Sequence, residues 1–124
     1  MPSSASNDTG QALRIFKAEI FKALAHPTRI GILELLRDRE LCVTDLCSLL
    51  GLDPPNVSQH LTVLRNKNIL TSRRDGLIIY YRVKNPVLYQ VLDLFRQWFY
   101  QHLSGNQEML DQLKLSERPG PSPV

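Results

Sequence analysis

The chain has little cysteine: two residues in 124, with one tryptophan and two methionines. Two thiols cannot build the multi-bridge framework of a small secreted domain, so they read as reduced thiols rather than a structural disulfide. No apolar run approaches the roughly 18 residues that span a bilayer. The opening MPSSASNDTG lacks a basic-then-apolar leader pattern, and a soluble cytoplasmic protein is the expectation. Enzyme chemistry is poorly supplied. The three histidines are scattered, and no Ser or Cys has a base and an orienting group near it in sequence. No glycine-rich phosphate loop is present, and no internal repeat is visible.

What is there is charge in one place. Fifteen Lys and Arg against 12 Asp and Glu leave the chain at only +3. Residues 54–84 alone carry Arg65, Lys67, Arg73, Arg74, Arg82 and Lys84 against Asp75, a net +5, so the remainder is −2. A basic stretch set in an otherwise slightly acidic chain is the electrostatic footprint of a duplex binder.

The periodicities place that stretch on identifiable elements. Residues 1–9 are small and polar and are expected to be disordered. A first helix is predicted from Gln11 to Ala25, with an apolar stripe at Leu13, Ile15, Phe16, Ile20 and Leu24. Pro27 breaks it and suits the first turn of a second helix, which runs to about Arg37. A short third helix covers Val43–Leu50 and is closed by Gly51. Cys42 stands at its N-cap with Asp45 three residues on, the spacing of a capping box. Asp53 caps a fourth helix that opens on Pro54. The stretch LDPPNVSQHLTVLR (52–65) thus reads as the second helix of a helix-turn-helix.

After Asn68 the period becomes strand-like. Ile69–Arg74 and Leu77–Val83 flank Asp75-Gly76, a two-residue hairpin signal. Pro86 opens a fifth helix through Trp98 to Leu103, apolar over more than one narrow stripe, and such a helix wants a partner. The expected fold is mainly α with a small β-hairpin wing: a winged helix-turn-helix over residues 10–104. A short helix over 105–115 and a disordered tail over 116–124 follow. Dimerisation is expected through the first and last long helices.

Four segments carry a resemblance: ALAHPTRIGILELL (23–36), ELCVTDLCSLLGL (40–52), NVSQHLTVLR (56–65) and RRDGLIIYYRV (73–83). In this order they resemble the ArsR/SmtB family of bacterial metal-responsive repressors, and together they cover most of residues 11–103. The resemblance implies a homodimeric repressor that holds double-stranded operator DNA and lets go when an inducer binds. Within the reading helix, N-terminal residues reach base edges. Asn56 and Gln59 have side chains suited to adenine, and Ser58 and His60 suit bases or phosphates. Val57, Leu61 and Leu64 face inward. Arg65, Arg73 and Arg74 are phosphate candidates.

The inducer question turns on ELCVTDLC. Arsenic, cadmium and lead sensors of the family carry ELCVCDLC-like sequences. Cys42 and Cys47 match the outer two sulfurs, and Thr44 stands at the middle one, where a hydroxyl is a poor ligand for a soft ion. No third cysteine exists. Five residues of ideal helix rise about 7.5 Å and turn roughly 140°. A disulfide requires Cα atoms closer than about 7 Å, so joining the two sulfurs disturbs the first helical turn. Trivalent arsenic, as arsenite or an organoarsenical, bridging Cys42 and Cys47 is the leading expectation, with a third ligand from water, a small thiol or its own substituent. Two alternatives stay open: a thiol redox or persulfide sensor of the same fold, and a DNA-binding module whose cysteines are structural. The family's second metal site lies on the terminal helix. Alignment through YYRV puts Asn85, Val87, Trp98 and Gln101 at its ligand positions, a poor zinc set, so no zinc site is expected there. His26 is expected to cap or pack.

Overall fold

A computed structural model describes residues 4–104 and 107–116. In chain order the elements are α1 (Ser4–Leu24), α2 (Pro27–Leu35), β1 (Leu41–Cys42), α3 (Val43–Leu50), α4 (Pro54–Asn66), β2 (Leu70–Asp75), β3 (Ile78–Val83), α5 (Val87–Leu103) and α6 (Gln107–Ser116). Helices α1 to α4 and the three strands form one compact unit; α5 and α6 form a second.

Helix boundaries follow local chemistry. His26 is the N-cap of α2: its Nδ1 accepts the Thr28 N–H at 3.1 Å, and Pro27 opens the helix. Gly51 closes α3 in the left-handed region, φ 67°, where a side chain would be strained. Asp53 stands at the N-cap of α4 without making a side-chain cap bond. Pro54 and Pro55 occupy the first two positions and have no N–H to offer. Asn68, φ 59°, turns the chain from α4 into β2.

The core of the first unit is a stripe from each helix. Ile32, Leu33 and Leu36 from the α2 region, Leu46 from α3, and Val57, Leu61 and Leu64 from α4 are fully buried. Burial of each such side chain contributes about 1.5–3 kcal/mol. This packing seats α4 against α1, α2, α3 and β2.

Three expectations change, and a fourth goes untested. The stretch 1–9 was expected to lie outside any helix, but α1 begins at Ser4. Gly10 costs a helix interior only about 0.5–1 kcal/mol, and no proline interrupts the run. The expected tail beyond Ser116 lies outside the described residues. The wing has three strands, in the order β1-β3-β2, all antiparallel. Its turn is one residue further on than expected: Asp75 pairs with Ile78, leaving Gly76-Leu77 as the two-residue loop. Gly76 alone of the two has positive φ, 64°, the pattern of a type II′ turn with glycine first.

Candidate nucleic-acid interface and thiol pair

Helix α4 carries a narrow exposed polar face. Ser58, Gln59, Thr62 and Arg65 are exposed, Asn56 is half-buried, and Val57, Leu61 and Leu64 point into the core. Thr62 lies one turn beyond Ser58 and donates its hydroxyl to the Ser58 carbonyl at 3.0 Å. Thr62 went unread in the sequence, although the i, i+4 spacing from Ser58 carries the signal.

His60 does not belong to that face. It is 7% exposed. Arg29 Nε–H donates to its Nδ1 at 3.1 Å, and the His26 ring lies 4.4 Å away, centroid to centroid. Burial, then the neighbouring His26 and Arg29, push the His60 imidazole below its ordinary value. His60 packs the reading helix against α2, off the exposed polar face. The spacing held the clue: 57, 60, 61 and 64 form the i, i+3, i+4, i+7 pattern of an inward stripe.

The wing arginines divide in two. Arg73, though exposed, is paired within the chain. Its Nε donates to both carboxylate oxygens of Glu40, at 2.8 and 2.9 Å, and Nη2 adds a bond to Oε1. This pairing raises the Arg73 guanidinium further above its usual value and holds the Glu40 carboxyl below the ordinary one. Arg73, expected as a phosphate contact, is thus paired with Glu40 in the free chain, while its side chain stays 53% exposed. Arg74 is exposed and has no ion-pair partner among the described residues. Lys67 is likewise occupied, 2.6 Å from Glu19 of α1. The outward basic charge therefore falls to Arg65, Arg74, Arg82 and Lys84, all exposed. Leu77, 99% exposed, forms the wing tip.

The thiols stand on the adjoining element. Cys42 is both the last residue of β1 and the N-cap of α3. Asp45 accepts from the Cys42 thiol at 3.3 Å and from its backbone N–H at 3.5 Å. Cys47 lies in the second turn, and both cysteines are free and half-buried. Thr44 is exposed between them. Among the described residues no group of three or more His, Cys, Asp or Glu is placed to hold a metal ion. The donor set is two sulfurs, which suits a soft thiophilic centre that brings its own remaining ligand and suits a hard cation poorly.

Known proteins share this architecture. The arsR family of bacterial regulatory proteins matches residues 26–72. An uncharacterised HTH-type transcriptional regulator of Mycobacterium tuberculosis, Rv0081, is 41% identical over 99 residues, covering 79% of this chain and 87% of that one. Its crystal structure gives a TM-score of 0.69 at 42% identity, over 75% of this chain and 94% of that one. The arsenic resistance transcriptional regulator ArsR1 of Pseudomonas putida is 40% identical over 101 residues, 79% of this chain and 76% of that one. The homodimeric winged helix-turn-helix DNA-binding domain of Mb0332 from Mycobacterium bovis, solved in solution, gives a TM-score of 0.71 at 28% identity, over 80% of this chain and 92% of that one.

The fold and its polar reading helix define a winged helix-turn-helix transcription regulator, not an enzyme. The chain belongs to the arsR family.

Proposed function

We propose that the chain is a homodimeric repressor, released from operator DNA when trivalent arsenic engages Cys42 and Cys47. The observation that carries this reading is the position of Cys42. One residue ends the short first strand of the wing and caps the helix that packs on α4. A change at that sulfur touches both DNA-holding elements. ArsR1 of Pseudomonas putida, an arsenic resistance regulator by name, supports the choice of inducer.

On DNA, Asn56 and Gln59 read base edges, and Ser58 and Thr62 supply shorter polar contacts. Arg65 and Arg74 take phosphates. In the free state Asp45 holds the Cys42 thiol and N–H at the start of α3. Cys47 lies more than one turn further along the helix. For both sulfurs to serve one centre, Cys42 leaves the Asp45 carboxylate and the first turn of α3 opens. Asp45 then loses both its donors, α3 loses its N-terminal cap, and β1 is drawn from its place beside β3. Each thiol would replace one oxygen of arsenite, its proton leaving with that oxygen as water, and the third ligand would be the remaining hydroxyl, a small thiol or an organic substituent.

The exposed apolar residues support a dimer. Leu13, Ile15 and Phe16 of α1 are more than half exposed, as are Leu94 and Trp98 of α5. Phe95, Trp98, Phe99 and His102 line an open recess of about 330 Å³. Large exposed apolar side chains on each of these helices are the kind of surface that a partner covers.

The test is DNA release under reducing conditions, on a duplex the protein has selected from a random pool. Arsenite is expected to weaken binding by about 5–150-fold, the usual range of coupling between sites. Cys42→Ser is expected to bind DNA and ignore arsenite. Equal responses from both proteins overturn the assignment, and release by an oxidant but not arsenite replaces it with thiol redox sensing.

A further inference from the structure

Glu40 lies 33 residues before Arg73 in the chain, yet holds it by three hydrogen bonds. The same guanidinium sits 4.7 Å from the centroid of the Tyr80 ring. Tyr80 is the ladder partner of Arg73 on β2 and of Cys42 on β1. Residues directly opposite in antiparallel strands share a face. Cys42, Tyr80 and Arg73 therefore form one row across the sheet. Glu40, immediately before β1, reaches the Arg73 end of that row through its carboxylate. At the other side of the row, the Cys42 thiol reaches Asp45 at 3.3 Å.

The geometry points to a coupling: Glu40 and Tyr80 are positioning residues that make the attitude of the wing depend on the state of Cys42. The inference deepens the reading of Cys42 and Cys47 as the sensing pair and rests on it. β1 is only two residues long, and so short a pairing is marginal by itself. The ion pair and the ring contact tie the same segment to β2 and β3 at a second point. A shift of Cys42 is then passed to the strands that carry Arg74 and Arg82, instead of being absorbed by a loose loop. Exposed ion pairs contribute little to global stability. The carboxylate, guanidinium and ring, joined at the edge of the sensing segment, act on orientation.

The experiment labels Cys42 alone, with a maleimide on the full-length Cys47→Ser protein, and follows amide hydrogen exchange through β2 and β3. With Glu40 in place, labelling is expected to raise exchange over residues 78–83 by about tenfold. In Glu40→Gln, exchange is expected to be raised before labelling and to change less than about twofold on labelling. The charge-swapped Glu40→Arg with Arg73→Glu is expected to restore the labelling step. No response to labelling with Glu40 present overturns the coupling, and so does an undiminished response in Glu40→Gln. Arsenite release is measured beside it. A labelling step without arsenite release keeps the coupling and removes the arsenic reading; arsenite release without a labelling step does the reverse.

Discussion

Arg29 donates in two directions: to His60 Nδ1 at 3.1 Å and to the Ala23 carbonyl at 3.2 Å. One side chain thus ties the end of α1 and the start of α2 to the middle of α4. The arrangement works only while His60 is neutral, since a proton on Nδ1 would face the guanidinium. The folded state holds the imidazole below its ordinary value of 6.5, burial being the first cause. The neutral form is therefore favoured in the fold, and its contribution is fully present above about pH 6.5. It is lost as pH falls from there toward the folded value. Thermal unfolding followed from pH 7.5 to 5 should show Tm dropping across this window, with a flatter profile in His60→Gln, which keeps an acceptor but cannot titrate. A wild-type profile no steeper than the variant's would exclude His60 as the group. The burial of His60 was legible from its spacing in α4, but a polar side chain early in a reading helix invites the opposite reading. The role of Arg29 was not legible, because its partner is 31 residues away.

At the scale of elements, the wing shows what a local pattern can and cannot say. Two strand-like runs around Asp75-Gly76 announced a hairpin, and β2 and β3 follow, one residue out of the expected register. The slip arises because Gly76 takes the first loop position of a II′ turn, pushing Leu77 to the tip. β1 could not be read at all, since two residues carry no periodicity. The commitment of Arg73 also escaped, since adjacent arginines look alike until Glu40 is placed beside one of them. This division predicts different salt behaviour. Each phosphate contact contributes about 0.9 to the slope of log affinity against log salt concentration. Arg74→Ala should lower that slope by about this much, while Arg73→Ala should leave it unchanged. Equal slope losses in fluorescence anisotropy titrations would show that Arg73 leaves Glu40 for the DNA.

For the whole molecule, the relevant facts are two surfaces, one charged and one apolar. Trp98 is 66% exposed and stacks on Phe95, ring centroids 5.9 Å apart. Trp98→Glu sets a charge in the proposed subunit contact, where an unpaired buried ion costs several kcal/mol. Sedimentation is expected to show a monomer at micromolar concentration for the variant and a dimer for the wild type. An unchanged dimer would place the contact elsewhere. The apolar excess of α5 was visible in its composition, as was the concentration of basic residues in 54–84. How that charge divides between outward-facing and internally paired groups was not, because Glu19 and Glu40 belong to distant segments.

The shortness of β1 has a consequence for sensitivity. A seam of two residues parts at the loss of one or two backbone hydrogen bonds, about 1 kcal/mol each. A sulfur-seeking ligand has far more binding energy than that, so little of its affinity is consumed in prying the strand loose. On the proposed sulfur-sensing reading, the join would add a small cost to the dose otherwise set by the grip on sulfur. Lengthening the join by a residue or two would raise the threshold without altering either thiol.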